Sequence, residues 1–122
     1  MDADGRHHLY QWLLPRLTEA WDSGSAGSIG ADDHRYVQWA GYDLGLQIEC
    51  QGNCHLTGDA RLTPEEIQRL RRLGWHDPVA DDLPNHWQVF FDRDDLPKAA
   101  MALVDAVALL RDGAAAGDAE PR

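Results

Sequence analysis

The sequence has little cysteine, almost no lysine and no long apolar run. Its 122 residues include two cysteines, and a chain of this length buries roughly two-thirds of its unfolded surface without needing a disulfide or a metal. No apolar stretch reaches the roughly 20 residues that cross a bilayer. The first eight residues, MDADGRHH, lack the apolar core of a signal peptide. We therefore expect a cytoplasmic protein with no membrane partner.

Positive charge is also scarce, because 11 basic residues stand against 21 acidic ones and the formal net charge is -10. Such a surface repels phosphate backbones and anionic lipids, so nucleic acid is not an expected partner. A neutral or basic polypeptide fits this charge better. The alternative interpretation is that the acidity serves solubility alone.

Catalytic and cofactor motifs are missing as well. The sequence contains no G-x-S-x-G, P-loop, G-x-G-x-x-G or H-E-x-x-H pattern. Cys50, Cys54 and His55 form a C-x3-C-H arrangement that is not a usual zinc pattern and has no second pair of ligands. Cys50 is also in phase with Leu46 and Ile48, which favours a core position. We therefore expect no catalytic residue, no cofactor and no metal, and a small metal- or thiol-dependent enzyme is the least favoured function.

Two charged clusters are interpreted as solvated surface. The minority interpretations are a metal site in the loop after residue 75 and a docking patch for an acidic partner on the second helix. The clusters are His76, Asp77, Asp81 and Asp82 in the loop, and Arg69, Arg71 and Arg72 on the helix.

Periodicity predicts three helices and a meander of strands. Residues 7–22 have one apolar face at helical spacing, with Pro15 either kinking the helix or delaying its start to about Leu14. The second helix has its cap at Thr63, Pro64 at its first position, a capping box with Glu66 and a stop at Gly74. The predicted strands are 28–31, 36–40, 46–50 and 87–91, with a turn at 41–43, and a last helix follows from residue 96, capped by Asp94 or Asp95.

These elements give an α+β fold, a two-layer sandwich in which an antiparallel β-meander packs against helices. The predicted order is α-β-β-β-α-β-(β)-α. We expect one domain over residues 1–112. The last residues, 113–122, lack apolar anchors and are predicted to be a disordered tail.

Four segments in this order resemble one family. The segments are YVQWAG at 36–41, LQIECQGN at 46–53, RLTPEEIQRLRRLGW at 61–75 and NHWQVFF at 85–91, which precedes an alanine-rich helix. Together they resemble the actinobacterial chaperone-like domains similar to type III secretion chaperones and YbjN proteins, the TY-Chap group. The resemblance covers roughly residues 8–112. It implies a secretion-chaperone-like fold, often dimeric, without catalytic machinery, that binds extended client segments.

Aromatic and polar residues of the strands are the candidate partner-binding positions. Trp39 is in phase with Val37 and is expected to face the core, whereas Tyr36 faces away. Trp87, Val89 and Phe91 are expected to share one face and to leave Phe90 on the other. If the sheet has one covered face, Tyr36 and Phe90 are exposed aromatics, and such residues are enriched at interfaces. The alternative is that these rings lie under loops or the first helix. The candidates are Tyr36, Gln38, Trp39, Trp87 and Phe90.

The sequence therefore predicts a non-catalytic module that binds a client protein or peptide and forms a homodimer. An extended peptide can join a free sheet edge through backbone hydrogen bonds. The second interpretation is a structural or regulatory subunit that forms a stable homo- or hetero-oligomer through the same surface.

Overall fold

Within the described residues, the chain forms three helices and a four-stranded antiparallel sheet. The computed structural model describes residues 1–32, 34–53, 56–79 and 83–119, with side chains described as far as residue 112. The elements are α1 (Ala3–Ser23), β1 (Ala26–Gly30), β2 (Tyr36–Tyr42), β3 (Gly45–Cys50), α2 (Pro64–Arg72), β4 (His86–Phe90) and α3 (Leu96–Ala119). The strands lie in the order β1-β2-β3-β4. The predicted α+β fold is confirmed.

The strands alternate between a helix-covered face and an uncovered one. α1 and α3 pack on the same side of the sheet, and α2 packs against α3. Buried residues of β2 and β3 meet buried residues of the helices there: Val37, Trp39, Leu46, Ile48, Cys50, Leu13, Leu17, Leu103 and Val107. We call the other side the open face; by the strand register it consists of Ala26, Ser28, Gly30, Tyr36, Gln38, Ala40, Tyr42, Gln47, Glu49, Trp87 and Val89.

The first helix begins earlier than its apolar pattern predicted. Asp2 caps it by accepting a hydrogen bond from the Gly5 N–H at 2.8 Å. The helix then continues through Pro15, so of the two alternatives the late start near Leu14 is wrong. Proline removes the N–H that would bond to the carbonyl of Gln11, but both residues are exposed and water can reach that carbonyl.

Close backbone contact fixes where this helix crosses the sheet. A Cβ built on Gly41 would lie 1.8 Å from the Ala20 carbonyl oxygen of α1. Only glycine therefore fits at this position of β2. The contact brings the second half of α1 alongside β1, where the candidate site lies.

The second helix follows its sequence signature closely. The Thr63 N–H donates to the Glu66 carboxylate at 2.9 Å, and the Glu66 N–H donates to the Thr63 hydroxyl at 3.1 Å. Pro64 is the first helical residue, and Gly74 follows the helix with φ +96°. The predicted capping box and glycine stop are confirmed.

A buried ion pair ties this helix to the rest of the fold. The Arg35 guanidinium donates to both carboxylate oxygens of Glu66, at 2.8 and 3.2 Å. It also donates to the carbonyls of Ala60 at 2.9 Å and Leu110 at 3.0 Å. Arg35 is 8% exposed and Glu66 2%, so this pair is a fixed part of the interior and its charges do not belong to the surface.

Several element boundaries differ from the predicted ones. β1 starts at Ala26, and β2 continues through Gly41 and Tyr42, which were predicted as a turn. A short 3-10 turn at Arg93–Asp95, capped by the Asp92 side chain, precedes α3 in place of a cap at Asp94 or Asp95.

The predicted tail at 113–122 stays a prediction. The backbone of its first residues continues α3 as far as Ala119. The remaining three residues, 120–122, lie outside the described part.

Candidate functional site

The five candidate residues fall on opposite faces of the sheet. Tyr36, Gln38 and Trp87 lie on the open face, whereas Trp39 and Phe90 lie on the helix-covered face. The expectation that Trp87 faces the core and Phe90 is exposed was wrong, because the register pairs Phe90 with the buried Leu46. In the strand HWQVF, Trp87 and Val89 alternate with the polar His86 and Gln88, so its own pattern favours the opposite face from the one that packs on the helices.

One edge of the sheet has free backbone groups. The Ser25 carbonyl accepts from the Gly41 N–H at 3.0 Å, and the Ala31 N–H donates to the Arg35 carbonyl at 2.8 Å. In β1, the residues at odd positions therefore form backbone hydrogen bonds to β2. The N–H and C=O groups of the residues at even positions point away from the sheet. We call these groups, on Ala26, Ser28 and Gly30, the β1 edge.

The β1 edge lacks two of the usual devices that block edge pairing. Its strand, AGSIG, has no proline and no charged residue. The opposite edge is partly paired, because Trp87 of β4 exchanges hydrogen bonds of 3.0 and 3.2 Å with His76. The β1 edge is thus the better of the two for pairing with another strand.

A groove lies beside the β1 edge, between α1 and β1. The Trp39 indole forms its floor, since a Cβ on Gly27 would lie 2.4 Å from that ring. Trp12 is 39% exposed and meets Trp39 edge-on, with ring centroids 6.3 Å apart. The Arg16 guanidinium lies 3.8 Å from the centre of the Trp12 ring. This α1–β1 groove, completed by Pro15, Glu19 and Ser25–Ser28, has apolar walls and one charge of each sign.

A carboxylate lies at the middle of the open face. Glu49 accepts hydrogen bonds from the side-chain amides of Gln38 at 2.9 Å, Gln47 at 2.8 Å and Asn85 at 2.8 Å. The Tyr42 hydroxyl donates to the Gln47 amide oxygen at 2.5 Å. Burial and the negative charge of Glu49 raise the pKa of Tyr42. Sequence reasoning missed Glu49, because an acidic residue on the wet side of an alternating strand is unremarkable until its partners are known.

The β1 edge and the open face both lie in the part of the chain that matches a known protein family. Residues 15–114 match the family model TY-Chap3, described as the T3SS (YopN, CesT) and YbjN peptide-binding chaperone 3. The chain belongs to this family. The match covers both edges of the sheet and the whole open face. No curated protein and no solved structure matches the chain.

In this TY-Chap3 chain the described cysteine is unsuited to nucleophilic chemistry. Cys50 is fully buried, and burial raises the pKa of its thiol to about 12. The described residues contain no group of three or more histidine, cysteine or acidic side chains that could hold a metal. Cys54, His55, Asp81 and Asp82 lie outside the described residues.

The TY-Chap3 helices and charged clusters add little to the site. None of the described helices is both long and apolar enough to cross a bilayer. In the arginine cluster, Arg71 pairs with Asp77 at 2.9 Å on the surface. Neither Arg71 nor Asp77 lines the α1–β1 groove.

Proposed function

We propose that the chain is a non-catalytic peptide-binding module that takes up an extended client segment as a fifth strand on the β1 edge. The observation that supports this most is the unprotected row of backbone groups at Ala26, Ser28 and Gly30. Each residue offers one N–H donor and one C=O acceptor. Strand addition of this kind draws its affinity from backbone hydrogen bonds.

The α1–β1 groove would supply the selectivity. Side chains of an added strand alternate between the two faces of the sheet. Those on the helix side would enter the groove next to Trp12 and Trp39, which favours apolar residues at alternate positions. Those on the other side would lie beside Ala26 and Ser28, where little restricts their size.

The partner is a client protein or peptide of neutral or basic character. The net charge of -10 favours such a partner over nucleic acid or an anionic membrane. We place the protein in the cytoplasm and assign it no cofactor, metal or catalytic residue.

A proline at position 28 tests this function. The Ser28 N–H points away from β2, so Ser28→Pro removes a donor from the free edge and leaves the ladder with β2 intact. Random peptides displayed on phage and selected on the wild-type protein provide the probe. We expect their affinity to fall at least about ten-fold in Ser28→Pro, and binding to protect the backbone amides of Ala26, Ser28 and Gly30 from hydrogen exchange.

Ser28→Thr is the matched control, because it keeps the outward N–H and should bind the selected peptides as the wild type does. Urea unfolding would verify that both variants fold. If the selected peptides bind Ser28→Pro with the wild-type affinity and protect amides elsewhere, the β1 edge is not the client site.

A second candidate function is self-assembly through the same edge. The three outward residues are arranged symmetrically about Ser28. A two-fold axis at Ser28 would pair it with its own copy and would pair Ala26 with Gly30, giving a continuous eight-stranded sheet. We propose that the chain forms such a homodimer when no client is bound. A permanent dimer would make it a structural subunit.

A further inference from the structure

The open face has a negative charge without a counter-ion. Among its strand residues there is one carboxylate, Glu49, and no lysine or arginine. None of the ion pairs between described residues involves Glu49. They join Arg6 to Asp105, Arg35 to Glu66, Arg71 to Asp77, Arg93 to Asp22, Lys98 to Asp95 and the N-terminus to Asp112.

The surroundings of Glu49 suit a cation. Three neutral amides orient the carboxylate, but its two oxygens have about four acceptor positions, so room for a further donor remains. Hydrogen bonds between two charged groups are stronger than those to neutral amides. The register places Trp87 directly opposite Glu49 on β4. Its indole contacts the His76 ring on one side, with centroids 4.4 Å apart, and the other indole face can attract a guanidinium or ammonium group.

We propose that Glu49, with Trp87 beside it, binds an arginine side chain of the client. Arginine is favoured over lysine because its planar guanidinium can bond to a carboxylate and stack on an indole together. This inference rests on the proposed function and adds that the client is basic at the point that crosses the open face. The net charge of -10 would steer such a segment to the surface.

The arginine would come from a different part of the client than the added strand. A strand on the β1 edge would lie three strand spacings from β3, about 14 Å away. Side chains stand roughly perpendicular to a sheet, so an arginine of the added strand would not lie across two strands to reach Glu49. The two contacts are therefore separable in an experiment.

The probe is a blocked pentapeptide, Gly-Ser-Arg-Ser-Gly, compared with the same peptide carrying citrulline, the uncharged isostere of arginine. In NMR titrations of labelled protein, the side-chain amide signals of Gln38, Gln47 and Asn85 report on Glu49 directly. We expect the arginine peptide to shift these signals with an affinity about ten-fold above that of the citrulline peptide. The preference should persist in Ser28→Pro, whether or not that variant still binds strand-forming peptides.

Glu49→Gln should reduce the arginine affinity to that of citrulline. Glu65→Gln, an equal charge change on the exposed start of α2, should not. Equal affinities of the two peptides in the wild type would overturn the proposal even if Glu49→Gln failed to fold. A preference that survives in Glu49→Gln, or falls equally in Glu65→Gln, would assign the effect to overall charge and would also overturn it.

Discussion

At the scale of single residues, His86 is a buried titratable group whose pKa lies below the ordinary histidine value. It is 2% exposed and lies on the helix-covered face opposite Cys50. Burial lowers its pKa, and the Asp77 carboxylate and a hydrogen bond with the His76 backbone oppose that shift in part. The ring is therefore neutral in the folded protein at pH 7.

We predict that the free energy of unfolding decreases as the pH falls below about 6.5, the ordinary histidine value. In that range the unfolded chain binds a proton that the folded chain resists, so acid favours unfolding. Urea unfolding at pH 7.5 and 5.5 would measure the loss. The Asp77 carboxylate does not contribute in this window, because its hydrogen bond with Arg71 lowers its pKa from an already acidic value.

His86→Gln is the comparison for this prediction, since an amide does not titrate. Its stability should depend less on pH over the same window than that of the wild type. If both proteins lose stability equally, the acid sensitivity lies in other groups.

Residue positions in the site were only partly predictable from the sequence. Trp39 and Cys50 face the core as their alternation predicted, because their strands have one clearly polar side. Phe90 and Trp87 were assigned to the wrong faces, because the side of their strand with the polar residues His86 and Gln88 is the one that packs on the helices, and the neighbouring strand decides this register. Glu49 could not be recognised, because its three donors come from β2, β3 and the residue before β4.

At the scale of elements, the packing of α1 on β2 depends on Gly41, which has no side chain. Gly41→Ala would force a methyl group to within 1.8 Å of the Ala20 carbonyl oxygen. The helix would have to move away from the sheet. We predict a loss of about 2–3 kcal/mol in the free energy of unfolding, measured in urea.

Gly30→Ala is a matched control within the same sheet. A Cβ there would project from the open face and meet its nearest neighbour, the Asp32 carbonyl oxygen, at 3.3 Å. The loss should be well below that of Gly41→Ala. Equal losses would show that strand propensity, and not the helix contact, determines the cost.

Elements with strong end signals were predicted well. The capping box of α2 and its glycine stop depend on neighbours in the sequence, so they are visible without the fold. The start of α1 was missed because Asp2 caps a first turn with few apolar residues. The effect of Pro15 on the helix was overestimated, because a proline on an exposed helix face removes only one hydrogen bond, which water can replace.

At the scale of the whole molecule, the proposed dimer brings together two copies that each carry a charge of -10. An edge contact of one short strand buries little surface, and stable interfaces bury roughly 1,200 Å² or more. We predict a weak dimer that dissociates on dilution and is strengthened by salt, which screens the repulsion. Light scattering over a dilution series at two salt concentrations would measure both effects.

Ser28→Pro should be monomeric at every concentration in the same measurement. A dimer that persists in this variant would place the contact on another surface. A dimer that does not dissociate on dilution would favour the permanent structural subunit.

The buried Arg35 guanidinium has a consequence for how the chain melts. It bonds to groups 31 and 75 residues further along the sequence, so departure of either segment alone breaks bonds of a buried charge. Release of the last helix would remove the Leu110 carbonyl from the Arg35 guanidinium, and release of α2 would remove its counter-ion Glu66. The segment around Arg35, α2 and α3 are thus coupled, and we expect them to unfold together in one cooperative transition.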